Sequence, residues 1–137
     1  SPALLAEHWD LLDEEDYRRC RHVVSEIDRT NQAVAKLRAS DVAGFGALMN
    51  ASHNSLRDDY EVSGRELDAL VTIARAVDGV YGARLTGAGF GGCAVALAHA
   101  DAVQPLTDAV NDQYPGRTGM EAEIYVCTAV AGAGRVA

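Results

Sequence analysis

The chain has 137 residues, with 12 Lys+Arg against 20 Asp+Glu for a formal net charge of −8, and it is 48% hydrophobic and 23% charged. That length fits one domain, and that balance belongs to a soluble globular protein, which excludes a disordered chain. The acidic balance also excludes nucleic acid and anionic membrane surfaces as partners, because both need clustered Lys and Arg.

No apolar run reaches the ~20 residues of a membrane span, and no basic-then-apolar leader opens the chain. Cys20, Cys93 and Cys127 are odd in number and lie in apolar surroundings, as expected of reduced thiols in a cytoplasmic protein. The opening Ser1-Pro2-Ala3, without an initiating Met, is the expected start of a piece cut from a longer protein.

In chain order, Leu4, Leu5, Trp9, Leu11 and Leu12 predict a short apolar segment. Tyr17, Cys20, Val24, Ile27, Asn31, Val34 and Arg38, broadened by Val23, Ala33 and Leu37, recur at steps of three and four. That spacing predicts an amphipathic helix of about 25 residues, with Arg18, Arg21, Asp28 and Lys36 on its charged face. Ser40 or Asp41 caps a second helix that carries Phe45, Leu48, Met49, Ser52 and Leu56 on one side.

Ser63-Gly64-Arg65-Glu66 reads as a capping box for a third helix, whose buried stripe is Leu67, Leu70, Val71, Ala74 and Val77 and whose stop is Gly79. Beyond it the pattern becomes strand-like over Ala83–Thr86, Cys93–His99 and Glu121–Val130, with Cys93–Ala98 read as buried. Asp101 is placed to cap a helix between the last two, with Pro105 in its first turn and Tyr114-Pro115-Gly116 at its end. The expected fold class is α+β, helices packed on a small, mainly antiparallel sheet. A further strand is expected from Arg135–Val136 or from chain upstream.

Chemical information concentrates in Thr86-Gly87-Ala88-Gly89-Phe90-Gly91-Gly92-Cys93. So much glycine predicts positive φ or a close backbone approach. Gly87 to Gly92 satisfies the dinucleotide string G-x-G-x-x-G, but no helix opens after it and no acidic residue ends a strand about 20 residues later. The phosphate-loop string fails as well, since no Gly-Lys-Ser/Thr follows. Two readings stand: a tight hairpin packed against a neighbour, or a nest of N–H groups for an anion.

The polar run Ser52-His53-Asn54-Ser55-Leu56-Arg57-Asp58-Asp59-Tyr60 invites a hydrolase reading, yet it has no nucleophile elbow and reads better as a helix end with caps and ion pairs. His8, His22, His53 and His99 lack partners at metal-ligand spacing, so no metal site is assigned.

With its neighbours, the segment Asp78-Gly79-Val80-Tyr81-Gly82-Ala83-Arg84-Leu85-Thr86-Gly87-Ala88-Gly89-Phe90-Gly91-Gly92-Cys93 closely resembles the third motif of the galactokinases, which belong to the GHMP class of small-molecule kinases. The stretches Phe45–His53, Ser55–Ser63 and Glu66–Leu70 look like galactokinase too, and the resemblance runs from about Tyr17 to Val130. Gly64-Arg65 stands where that family commonly has Cys-Pro, and Leu85 where it commonly has Met.

The resemblance implies a GHMP kinase C-terminal domain over residues 1–137, with a ferredoxin-like β–loop–β–α–β core and the loop Thr86–Gly92 facing the active-site cleft. It implies a complete enzyme that phosphorylates galactose at its 1-hydroxyl with ATP and Mg²⁺. The family's sugar signature, ATP loop, catalytic Asp and metal ligands have no match here, so this chain holds no catalytic residue and is expected to be inactive alone, to hold no cofactor tightly and to self-associate through an exposed interdomain face. The alternatives are a galactokinase-like sugar- or ATP-responsive regulator, another GHMP kinase, or an independent small-molecule-binding module. Within the complete enzyme, Gly89→Val is expected to reduce turnover far more than stability.

Overall fold

The structure, a computed structural model, describes residues 2–130. Its elements are α1 (Pro2–Glu7), α2 (Glu14–Arg38), α3 (Val42–Asp58), α4 (Arg65–Arg75), β1 (Val80–Thr86), β2 (Cys93–Ala98) and α5 (Val103–Thr118), with single 3₁₀ turns at Trp9–Leu11 and Ala100–Ala102. β1 and β2 form a two-stranded antiparallel sheet, Ala83 opposite Ala96 and Thr86 opposite Cys93, with a bulge at Tyr81. α1 packs on α2, α2 on α3, and α3 on β1, while α4 lies between β1 and α5. The class is α+β, as the sequence patterns imply.

The core is small and centred on α4. Val71 and Ala74 meet Ala83 of β1 on one side, and Ile73 meets Val110 and Tyr114 of α5 on the other. Leu67, Ile73, Leu85, Val71 and His53 are the largest fully buried side chains. Each of the four aliphatic ones contributes about 1.5–3 kcal/mol by leaving water.

What brings α3 onto the sheet is a contact without side chains. A Cβ on Gly46 would overlap the Tyr81 carbonyl, and one on Gly82 would overlap the Gly46 carbonyl, so helix and strand touch backbone to backbone. That approach lets α3 finish the hydrogen bonding of the outer edge of β1. Asn50 Oδ1 accepts from the Ala83 N–H at 2.9 Å and His53 Nδ1 from the Leu85 N–H at 3.3 Å. Arg75 of α4 donates to the Ala83 carbonyl at 3.0 Å and to the Asn50 carbonyl at 2.9 Å. An edge that would otherwise template further strands is thereby closed.

Several expectations change. Glu121–Val130 forms no strand; most of it is exposed, and among the described residues the sheet ends at β2. The β–loop–β–α–β core therefore lacks its last strand here, because β-branched residues such as Ile124 and Val126 make a strand only where a ladder accepts them. Arg135–Val136 lies outside the described residues. β2, expected to be buried, is largely exposed, with Val95 45% accessible.

The capping box does not form. Gly64 is the N-cap of α4, and the Ser63 hydroxyl donates to Asp68 Oδ1 at 2.6 Å, where His53 Nε2 also converges at 3.3 Å. A charged acceptor fixed by two partners outcompetes the capping geometry. Asp101 sits inside the 3₁₀ turn that His99 caps, not at the start of α5. α5 also runs past Pro115 to Thr118. Its last turn is held by Arg65 donating to the Arg117 carbonyl and by Gly119, in the left-handed region, donating to the Pro115 carbonyl.

α2 has the predicted length, 25 residues, but its apolar stripe packs only in part, with Tyr17, Cys20, Val24 and Ala33 half-buried. Val23, Ile27, Val34 and Leu37 are exposed, as are Trp9 and Leu11 before the helix. The face turned to α3 is polar, with His22 as the buried residue of α2. α3 follows expectation, with Asp41 as its N-cap accepting from the Gly44 N–H at 2.8 Å.

Two outcomes follow from these contacts. Gly46→Ala drives a methyl into the Tyr81 carbonyl and should destabilise by about 2–3 kcal/mol. Gly116→Ala on α5, where a Cβ meets open space, should be neutral or stabilising by up to about 1 kcal/mol. Urea denaturation of both variants checks the pair.

The second outcome concerns His53. Because its Nδ1 accepts from Leu85, the ring is neutral with the proton on Nε2 toward Asp68. Burial first, then the Arg75 charge, holds its pKa below the usual histidine range. The unfolded chain takes up that proton near pH ~6.5, so the stabilisation is complete above that value and is lost as pH falls through it toward the lower folded pKa. Thermal melts from about pH 7.5 to about pH 5 should fall more steeply for the native chain than for His53→Gln; equal slopes would disprove the neutral buried ring.

Candidate active-site loop

Thr86 ends β1 and Cys93 begins β2, and the six residues between them turn almost wholly through the left-handed region. Gly87 and Gly89 have φ of +84°, Phe90 +58°, Gly91 +120° and Gly92 +91°. Such a succession excludes regular hairpin turns, and Phe90 holds its value without the freedom of glycine. The loop lines an open depression of about 620 Å³ formed by Thr86, Gly87, Ala88, Gly89, Phe90, Gly91, Gly92 and Cys93. All seven residues singled out from the sequence are therefore together, with no charged side chain among them.

The loop has an inner and an outer side. Cβ atoms on Gly87, Gly91 or Gly92 would meet open space. Gly89 is different, since a Cβ there would overlap the Val62 carbonyl oxygen. The same carbonyl accepts the Phe90 N–H at 2.7 Å, which leaves the Phe90 ring 78% exposed. The expected set of outward-facing amides thus loses Phe90, whose N–H turns back onto the fold. Gly89 also proves to be a packing position, so its replacement by Val, expected to act mainly on turnover, strikes folding directly. Val62 was not legible as a loop partner; only the glycine at position 89, demanding a close approach, hinted that something lay there.

Arg84, the nearest cation in sequence, is turned away. Its Nη1 lies 3.6 Å from Glu26 Oε1 of α2, and its Nε donates to the Leu85 carbonyl.

The polar run at the end of α3 is structural, as read. Ser52 donates to Glu26, which also pairs with Arg29. Ser55 donates to Asp59 Oδ2 at 3.0 Å, so His22 Nδ1, 3.0 Å from the Ser55 oxygen, must carry the proton. The His22 ring stacks on Tyr60 with centroids 4.7 Å apart. Burial is the main reason its pKa lies below the usual range. Both serines spend their protons on carboxylates, which leaves no activated nucleophile here. Among the described residues, no three His, Cys, Asp or Glu side chains gather to hold a metal ion.

The family model described as GHMP kinases C terminal matches residues 33–116, which include α3, α4, both strands and the whole glycine loop. The chain belongs to the GHMP kinase C-terminal family. Among curated relatives, this GHMP kinase domain is 52% identical over 132 residues to a galactokinase of Roseiflexus sp., covering 96% of this chain and 34% of that protein. It is 52% identical over 124 residues to the Homo sapiens galactokinase, covering 90% and 31%. The domain spans about a third of the length of the curated relatives it matches.

Among solved structures, galactokinase of Lactococcus lactis complexed with galactose superposes with a TM-score of 0.88 at 46% identity, covering 91% of this chain and 32% of that one. L. major mevalonate kinase in complex with R-mevalonate superposes with a TM-score of 0.69 at 29% identity, covering 86% and 36%.

The two sides of the loop predict unequal responses. Gly87→Ala meets only backbone strain and should destabilise by about 1–2 kcal/mol. Gly89→Ala adds the collision with Val62 and should cost about 1–3 kcal/mol more. Chemical denaturation of the two variants, compared directly, tests the difference; equal losses would place the loop off Val62.

Proposed function

We propose that residues 1–137 form the C-terminal lobe of a galactokinase, and that the complete protein transfers the γ-phosphoryl group of ATP to the 1-hydroxyl of galactose. The observation that carries this reading is the 52% identity to a galactokinase over 96% of the chain. The solved galactokinase also outranks mevalonate kinase in both identity and superposition, which favours galactose over the other GHMP substrate class represented. A further N-terminal domain, on this reading, supplies the sugar site and the loop around the ATP phosphates.

ATP, when bound, supplies the phosphoryl group, and what this chain contributes is positioning. Phosphoryl transfer needs little covalent help from protein and much fixed charge stabilisation around the transferring group. Thr86–Gly92 carries no side-chain bulk on its open side at Gly87, Gly91 and Gly92, and on this reading the loop's amides line that side. That suits close approach of an anionic group. The described residues include no acidic cluster fit for Mg²⁺. We therefore assign the metal to the other domain and derive no step through it.

The exposed stripe Val23, Ile27, Val34 and Leu37 on α2 is the face through which the isolated lobe self-associates. The free thiols of Cys20, Cys93 and Cys127 fit a cytoplasmic enzyme.

The complete protein should phosphorylate galactose with ATP and Mg²⁺, and the 137-residue chain alone should give no turnover above background in the same coupled assay. Turnover by the purified lobe, or a complete protein that takes mevalonate and refuses galactose, would overturn the reading.

A further inference from the structure

Glu61 is one of the few non-glycine residues with backbone in the left-handed region, at φ +56°. A residue with a Cβ persists there only when its surroundings hold it, and such outliers mark places where strain serves a purpose. Here the holders are two arginines of α2. Arg19 Nη2 reaches Glu61 Oε2 at 2.6 Å and Arg18 Nη2 reaches Oε1 at 3.3 Å, one guanidinium on each carboxylate oxygen. Arg19 Nη1 also donates to the Asp59 carbonyl at 2.6 Å, so the turn is gripped at side chain and backbone together. Among the described residues, Arg18 Nε is buried without a hydrogen-bond partner, so its guanidinium is committed to Glu61 and Glu14 at some expense.

The grip is transmitted in one step. Val62 follows Glu61, is 8% exposed, and donates its own N–H to the Leu56 carbonyl at 3.0 Å. Its carbonyl is the group that receives the Phe90 N–H and against which Gly89 lies. Two strained non-glycine residues, Glu61 and Phe90, are thus joined through a single carbonyl. Rotating Glu61 out of the left-handed region would swing that carbonyl and release the middle of the loop.

We infer that Glu61, held by Arg18 and Arg19, is a positioning residue that sets the pose of the glycine loop for phosphoryl transfer. For what the loop meets, this rests on the galactokinase reading; for the linkage itself, it rests on the geometry above. The Glu61 carboxyl stays ionised because the Arg19 hydrogen bond, then the Arg18 charge, holds its pKa below the usual range.

The test uses two variants and two readouts. Glu61→Ala removes the carboxylate and keeps the Cβ, so the left-handed backbone loses its holders but not its strain, while the exposed ion pairs lost with it should lower the melting temperature only slightly. Glu61→Gln keeps an oxygen for Arg19. In the 137-residue chain, amide exchange of Phe90 followed by NMR should accelerate at least about tenfold in Glu61→Ala and return most of the way in Glu61→Gln. In the complete kinase, kcat should fall about tenfold in Glu61→Ala with KM for galactose near native, and Glu61→Gln should recover most of it.

Unchanged Phe90 exchange in Glu61→Ala would overturn the linkage, and faster exchange with native kcat would overturn its role in the reaction. Inactivity of the complete wild-type protein on galactose would instead overturn the galactokinase reading. The Phe90 exchange rate, measured without substrate, would still decide the linkage.

Discussion

The contact between Gly46 and Gly82 is the constraint on which the rest of the molecule depends. With no Cβ on either residue, the axis of α3 can lie against β1 closely enough for side chains of the helix to reach the strand's own peptide groups. The Ala83 and Leu85 amides are buried, and leaving either unsatisfied would cost about 1–3 kcal/mol. Asn50 and His53 satisfy both, doing for the strand edge what a third strand would otherwise do. A sheet of only two strands is marginal by itself, and this side-chain ladder helps make it sufficient.

The same arrangement explains why polar groups lie deep in the fold. His53 is 1% exposed yet serves Leu85 through one ring nitrogen and Asp68 through the other, while Ser63 reaches the same Asp68 oxygen. Arg75 ties α4 to α3 and β1 through Asn54, the Asn50 carbonyl and the Ala83 carbonyl. Arg75 Nε is itself buried without a hydrogen-bond partner among the described residues, so the loss of a further partner would strand a second buried polar group. These hydrogen bonds hold β1 in register and so fix where the glycine loop leaves it.

Beyond the strand, the loop is suspended between two supports. One is the ladder pair Thr86–Cys93 at its base; the other is the Val62 carbonyl under its middle. The neutral outer rim faces open space while the inner rim packs, a division that only a run of glycines permits. On an acidic chain of net charge −8, a loop without charged side chains is a place where backbone amides can dominate the local field. Arg84 does not alter that, since Glu26 of α2 engages it.

Local chemistry determined a good deal by itself. The 3.6-residue spacing marked α2, α3 and α4, Asp41 was readable as a cap, and the glycine run marked the loop, because each depends on neighbours within a turn or two of chain. What covers a face is not local. Val23, Ile27, Val34 and Leu37 had the right period for burial, yet α2 turns His22 and Glu26 toward Ser55 and Ser52 of α3, where a polar web offers partners that aliphatic side chains cannot use. Ile124-Tyr125-Val126 had strand character, but a strand exists only where a neighbour's peptide groups pair with it. Nothing in the local sequence around Glu61 and Val62 marks them as partners of the loop. Their tie to Phe90 spans about 28 residues of sequence and appears only once α2, the turn and the loop stand side by side, because a hydrogen bond to a distant carbonyl leaves no periodic trace in the chain.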